Sequence, residues 1–73
     1  MHAHVTGILA NQVYHDCGCQ YIDEYNEFCS LIRDEYEDLF NRNHDTPLHQ
    51  LDEEDIEEIL DQAYMEYIQI CPP

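Results

Sequence analysis

Apolar residues recur at helical spacing along the middle of the chain. From Gln20 to Asn41 they fall three or four positions apart, which puts them on one face of a helix. The stripe consists of Ile22, Tyr25, Cys29, Ile32, Tyr36 and Leu39, and it is widened by Phe28, Leu31 and Phe40. Acidic residues occupy the opposite face. The pattern predicts a single amphipathic helix over the whole of this stretch.

A second amphipathic helix is predicted to begin after Asp52. Asp52 suits the N-cap, and Leu51 and Ile56 stand at the spacing of a hydrophobic staple around it. The expected buried side consists of Ile56, Ile59, Leu60, Ala63, Tyr64, Tyr67 and Ile68. Pro72 and Pro73 prevent the helix from continuing. We expect this helix to pack antiparallel on the first.

The first 19 residues carry a weaker helical pattern, because Gly7 interrupts apolar positions that otherwise fit one helix face. We expect a short helix from about Thr6 to Asp16 that ends at Gly18, with an irregular arm as the alternative. The pair Thr46-Pro47 predicts a short helical turn further on. The fold class that follows is all-α: a small helical bundle of two long antiparallel amphipathic helices plus the N-terminal helix or arm, in a single acidic domain over residues 1–73.

The charge balance narrows the choice of partner. The chain has 17 Asp and Glu against only Arg33 and Arg42, with no Lys, and its net charge is −15. Such a surface repels phosphate, so we exclude direct binding to nucleic acid or to an anionic membrane. Apolar residues make up 44% of the chain, enough for a folded core. We expect a folded domain that binds a basic protein, and its small core leaves a homodimer open.

Several carboxylates stand one helical turn apart and repel each other. The predicted like-charge pairs are Asp23/Glu27, Asp34/Asp38, Glu53/Glu57, Glu54/Glu58 and Glu57/Asp61. Each such pair costs about 0.2 to 0.5 kcal/mol, or roughly 1 to 2.5 kcal/mol together. We expect Arg33 to pair with Glu37 and Arg42 with Asp38, which leaves most carboxylates without an internal counter-ion. The unpaired charge indicates a role in engaging a basic surface.

The cysteines and histidines offer a weaker alternative. His15, Cys17, Cys19 and Cys29 are ligand types that bind zinc, but only one close Cys pair is present, and its spacing is unlike the usual zinc pattern. We predict free thiols for the four cysteines, and no cofactor. No calcium loop, nucleophile with its base, or phosphate loop is found, so we do not expect an enzyme. The N-terminus lacks the features of a signal peptide and no segment is long enough to span a membrane, which predicts a cytoplasmic protein.

In size, charge and helix-face acidity, the sequence resembles the small DNA-mimic inhibitors of phages and mobile elements, which include anti-CRISPR, anti-restriction and uracil-DNA glycosylase inhibitor proteins. The resemblance lies in overall character and includes no family motif. It implies a stoichiometric inhibitor that occupies the nucleic-acid-binding site of a host defence protein. The leading expectation is an anti-CRISPR protein acting on a Cas effector in the host cytoplasm; a restriction or repair enzyme is another possible target.

The acidic helix faces supply the predicted contact set. Its members are Asp23, Glu24, Glu27, Asp34, Glu35, Asp38, Glu54, Glu57, Glu58 and Asp61. Two other interpretations stay open. One is a zinc- or thiol-containing adaptor that uses the apolar stripe, and the other is an acidic regulatory subunit or antitoxin that binds a basic protein without mimicking nucleic acid.

Overall fold

Four α-helices and one 3₁₀ turn form the protein in a computed structural model that describes residues 3–71. The helices are α1 (Ala3–Cys17), α2 (Tyr25–Glu35), α3 (Glu37–Arg42) and α4 (Glu53–Ile70), and the 3₁₀ turn is Leu48–Gln50. No strand occurs within the described residues, so the predicted all-α class is confirmed. In the same part of the chain, no helix combines the length and the apolarity needed to cross a membrane.

Helix α1 is a central element of the core. It is longer than predicted, and its residues Val5, Leu9, Ala10 and Val13 are buried. Gly18 ends it with φ +64° while its N–H donates to the Tyr14 carbonyl, as expected of a glycine after a helix. α1 packs more extensively against α4 than any other pair of elements does. The alternative of an irregular N-terminal arm is therefore wrong.

The long helix predicted from Gln20 to Asn41 is divided in the structure. Turns precede Tyr25, and Tyr36 leaves the helical conformation with φ −117° and ψ 13°, which separates α2 from α3. The bend allows Phe28 and Phe40, at opposite ends of the stretch, both to be fully buried. Those two residues would stand about 18 Å apart along a straight helix, close to the 19 to 21 Å width of the protein.

The buried side of α4 agrees with the prediction. Ile56, Ile59, Leu60, Ala63 and Tyr67 are buried, and Tyr64 and Ile68 pack partly buried against them. Asp52 is the N-cap residue, but its carboxylate makes no capping hydrogen bond. Pro72 and Pro73, predicted to stop the helix, lie outside the described residues. The buried residues of α2 are Phe28 and Ile32, whereas Tyr25, which was predicted to lie on the apolar stripe, is 38% exposed.

A disulfide joins the C-terminal ends of α1 and α4, the two helices that pack most extensively on each other. Cys19, just after α1, is bonded to Cys71, just after α4, with their Cα atoms 5.7 Å apart. The prediction of free thiols is therefore wrong for these two cysteines, while Cys17 and Cys29 are free. The two cysteines are 52 positions apart in the sequence, and they come together only when α1 packs on α4.

Candidate acidic interface

All ten carboxylates of the predicted contact set are exposed. The fold distributes them over separate surfaces instead of one continuous face. One group lies along α4, a second beside the junction of α1 and α3, and a third at the start of α2. Asp23 and Asp34 are exposed but belong to none of these three groups.

The densest group is the acidic ridge of α4, formed by Glu54, Glu57, Glu58 and Asp61. These side chains line a shallow open groove together with Gln62 and Met65. Residues separated by three, four and seven positions lie on one face of a helix, which explains why four carboxylates converge here. Met65 is 54% exposed at one end of the ridge and gives it an apolar contact point.

Two contacts from α2 border the ridge. The Tyr25 hydroxyl donates a hydrogen bond to the Asp61 carboxylate, and this bond raises the pKa of Tyr25. Arg33 donates to Glu53 with an N···O distance of 2.9 Å. The expected pairing of Arg33 with Glu37 is therefore wrong, because the guanidinium reaches across to the neighbouring helix. Arg33 neutralises a carboxylate beside the ridge and none of its four members.

The second group surrounds the junction of α1 with α3. Glu35 and Asp38 line a groove there with Asp16, Tyr36 and Arg42. The Arg42 Nε donates to the Asp38 backbone carbonyl at 3.4 Å, not to its carboxylate as predicted. A guanidinium within the groove reduces the negative field of this group compared with that of the ridge.

Asp16 is the best-connected carboxylate of this second group. The Tyr36 hydroxyl donates to it at 2.7 Å, and Gln12 donates at 3.1 Å. The hydrogen bond from Tyr36, followed by those from His15 and Gln12, holds the pKa of the Asp16 carboxyl below its ordinary value of 3.8. Asp16 thereby connects α1 to the residue at which α2 gives way to α3.

This connection predicts a pH-dependent difference between the wild type and Asp16→Asn. A carboxyl whose pKa is lowered in the folded state stabilises the fold above its unfolded-state pKa, and this stabilisation is lost as the pH falls through the folded-state value. We expect the wild type to be the more stable at neutral pH, and the difference to shrink as the pH falls below 3.8. Urea unfolding of both proteins across this range measures it, and a difference independent of pH would contradict the assignment.

The third group is the smallest. Glu24 and Glu27 line a groove with Gln20 and Tyr21 at the start of α2. The outer face of α1 contrasts with all three groups, because Asp16 is the only carboxylate among the first 22 residues. Negative charge is therefore concentrated on the part of the surface formed by α2, α3 and α4.

The structure does not bring the four predicted zinc ligands together in one site. His15 has an 82% exposed side chain next to Asp16, and Cys19 is used in the disulfide. Cys29 lies on α2, where burial is the main cause that raises its thiol pKa. Among the described residues, no three His, Cys, Asp or Glu side chains are arranged to hold a metal ion.

Comparison with protein-family models, with curated proteins and with solved structures gives no match. Three neighbours of the ridge were not predicted from the sequence: Tyr25, Gln62 and Met65. Met65 had a usable signal, since it is an apolar residue four positions after Asp61 on the polar face of an amphipathic helix. The Tyr25 contact required knowledge of how α2 lies on α4.

Proposed function

We propose that this protein is a stoichiometric inhibitor whose α4 acidic ridge occupies a basic nucleic-acid-binding site on a host defence protein. The target we favour is a Cas effector, which makes the protein an anti-CRISPR protein that mimics DNA. The observation that carries the proposal is the ridge itself: four exposed carboxylates on one helix face, none of which forms an ion pair with an arginine of the described chain.

Averaged along the helix axis, the charge density of the ridge is similar to that of one DNA strand. From Glu54 to Asp61 the helix rises about 10.5 Å, so that the four carboxylates stand at one per roughly 3.5 Å of axis. One strand of B-DNA carries a phosphate charge every 3.4 Å or so along the helix axis. A protein groove that neutralises successive phosphates with Lys and Arg would therefore meet a similar linear charge density on α4.

The energetic cost of the ridge also supports a role beyond solubility. Carboxylates one turn apart on the same helix, such as Glu54 with Glu58 and Glu57 with Asp61, destabilise it by about 0.2 to 0.5 kcal/mol each. Only residues in the first turn gain from the positive end of the helix dipole, and Glu57, Glu58 and Asp61 lie beyond it. The same number of charges scattered over the surface would keep the protein soluble without this repulsion.

Partly apolar side chains complete the proposed interface. Met65 at the end of the ridge and Tyr25 at its edge are both exposed, at 54% and 38%. Aromatic residues and Met are enriched at the centres of protein interfaces, where they exclude water from neighbouring polar contacts. Charge would steer the encounter with a basic groove, and these two side chains would add contact area once the complex has formed.

An acidic regulatory subunit that binds a basic protein outside its nucleic-acid site would use the same ridge. Competition separates the two functions. We expect target-DNA cleavage by a purified Cas effector with its guide RNA, drawn from a panel of effector types, to fall linearly with added inhibitor and to stop near one inhibitor per effector. Preloading the effector with target DNA should protect it from inhibition.

Two results would count against this mimicry. If saturating DNA does not reduce binding of the protein to the effector, the protein would instead be an acidic regulatory subunit. Loss of cleavage only at a large excess of inhibitor would indicate nonspecific attraction between opposite charges. A restriction endonuclease and a DNA-repair glycosylase belong in the same panel, because both present basic DNA grooves to the same ridge.

A further inference from the structure

Three cysteines meet at one end of the α1–α4 pair. Cys17 is the last residue of α1 and has a free thiol, and Cys19, two residues later, is bonded to Cys71. Two residues of chain span at most about 7 Å, and disulfides form between Cα atoms about 4.4 to 6.8 Å apart. The separation of Cys17 and Cys19 along the chain is therefore short enough to permit a bond between their sulfurs.

The connection between Cys17 and Cys19 has room to adjust. Gly18 adopts φ +64°, a conformation in which the chain reverses after the helix. A side chain added at Gly18 would meet no atom within 4 Å, while the Gly18 carbonyl accepts a hydrogen bond from the Tyr67 hydroxyl and the Gly18 N–H donates to the Tyr14 carbonyl. An adjustment of the chain between the two cysteines therefore meets no side-chain packing at Gly18, but it has to accommodate these two hydrogen bonds.

Exposure distinguishes the two ends of the disulfide. Cys19 is half-buried, as is Cys17, whereas Cys71 is only 2% exposed. A thiolate that approaches from the α1 side therefore reaches the Cys19 sulfur first, with Cys71 as the leaving group. Thiol–disulfide exchange follows this course, because the attacked sulfur keeps the new bond and the other sulfur departs as a thiolate.

We propose that Cys17, Cys19 and Cys71 form a thiol–disulfide exchange site in which Cys17 is the internal nucleophile. Cys17 loses its proton to water, and its thiolate attacks Sγ of Cys19. The Cys17–Cys19 bond forms as the Cys19–Cys71 bond breaks, and the Cys71 thiolate takes up a proton from water. The exchange is balanced within the chain, without external oxidant or reductant.

The released Cys71 thiol is the reactive product of this exchange. It can attack a low-molecular-weight disulfide such as glutathione disulfide, forming a mixed disulfide at Cys71 and releasing one glutathione thiolate. The end of α4 then keeps the hydrogen bonds of Tyr67, whose hydroxyl donates to the Gly18 carbonyl and accepts from the Tyr21 N–H at 3.1 Å, together with the apolar packing of α4 on α1. The exchange would therefore remove the covalent link between the two helices and leave these noncovalent contacts.

The first test uses Cys71→Ser in a Cys29→Ser background, which leaves only Cys17 and Cys19. After equilibration with glutathione disulfide, we expect mass spectrometry of unreduced peptides to find these two residues bonded to each other. Free or separately glutathionylated Cys17 and Cys19 would overturn the proposal. Circular dichroism establishes that the variant is helical, and Cys29→Ser alone should retain the Cys19–Cys71 bond.

The second test keeps the native disulfide, so that a folding defect in the first variant does not matter. Oxidised Cys29→Ser protein is incubated with glutathione disulfide and with reduced glutathione in excess of the protein, so that every sample contains an external thiol, and peptides glutathionylated at Cys71 are counted. Adding Cys17→Ser removes the nucleophile, and we expect the yield to fall at least about tenfold. An equal yield with and without Cys17 would overturn the assignment of Cys17 as the nucleophile.

Discussion

Replacing Cys19 and Cys71 together by serine is expected to lower the free energy of unfolding by about 2 to 4 kcal/mol. The bond closes a loop between residues 52 positions apart, and its loss restores conformational freedom to most of the unfolded chain. A domain of this length is stable by about 4 to 11 kcal/mol, so the disulfide contributes a large share. The transition midpoint should fall by roughly 10 to 30 °C.

Thermal unfolding monitored by circular dichroism measures this effect in the double variant and in reduced wild type. Cys29→Ser is the matched control, since it removes a half-buried free thiol and no disulfide; it should unfold close to the wild type. Equal midpoints for oxidised wild type, reduced wild type and the double variant would contradict the stabilising role. Reduced wild type also shows how stable the fold would be in a compartment that keeps thiols reduced.

Neutralising the α4 ridge is expected to weaken the complex with the target while changing the stability of the fold by no more than about 1 kcal/mol. Glu54→Gln, Glu57→Gln, Glu58→Gln and Asp61→Asn together change the net charge from −15 to −11, one unit for each substitution. Each lost interfacial pair contributes about 0.2 to 1 kcal/mol, so we expect affinity for the inhibited effector to fall roughly 4- to 900-fold. The relief of like-charge repulsion offsets the loss of a favourable charge in the first turn, so the free energy of unfolding should stay within about 1 kcal/mol of the wild-type value.

The matched control removes four carboxylates from the other two groups: Glu24→Gln, Glu27→Gln, Glu35→Gln and Asp38→Asn. Its net charge is also −11, because four negative charges are again removed from a total of −15. We expect it to bind the effector within a few-fold of the wild type. Equal weakening of both variants would show that net charge alone governs binding, and no weakening of either would contradict electrostatic mimicry. Titration calorimetry measures the affinities, and urea unfolding measures the stabilities.

The helical class and most of α4 were predictable from the sequence because they depend on the pattern of residues within one short segment. The spacing from Ile56 to Ile68 and the start after Asp52 are properties of one segment, and they hold in the structure. The ten candidate carboxylates are exposed as predicted, since charged residues at helical spacing opposite an apolar stripe face solvent. The division of the Gln20–Asn41 stretch was not predictable, because helical spacing continues through Tyr36.

By itself, the sequence determined an acidic, all-helical chain with exposed rows of carboxylates and almost no internal cations. Only the tertiary structure decided which groups meet across helices: Cys19 with Cys71, Arg33 with Glu53 and Tyr25 with Asp61. The physical reason is the distance along the sequence over which each kind of interaction acts. Periodicity and capping act within a few residues, whereas these contacts join residues 20 to 52 positions apart, and they exist because the apolar faces of α1, α2 and α4 share one core.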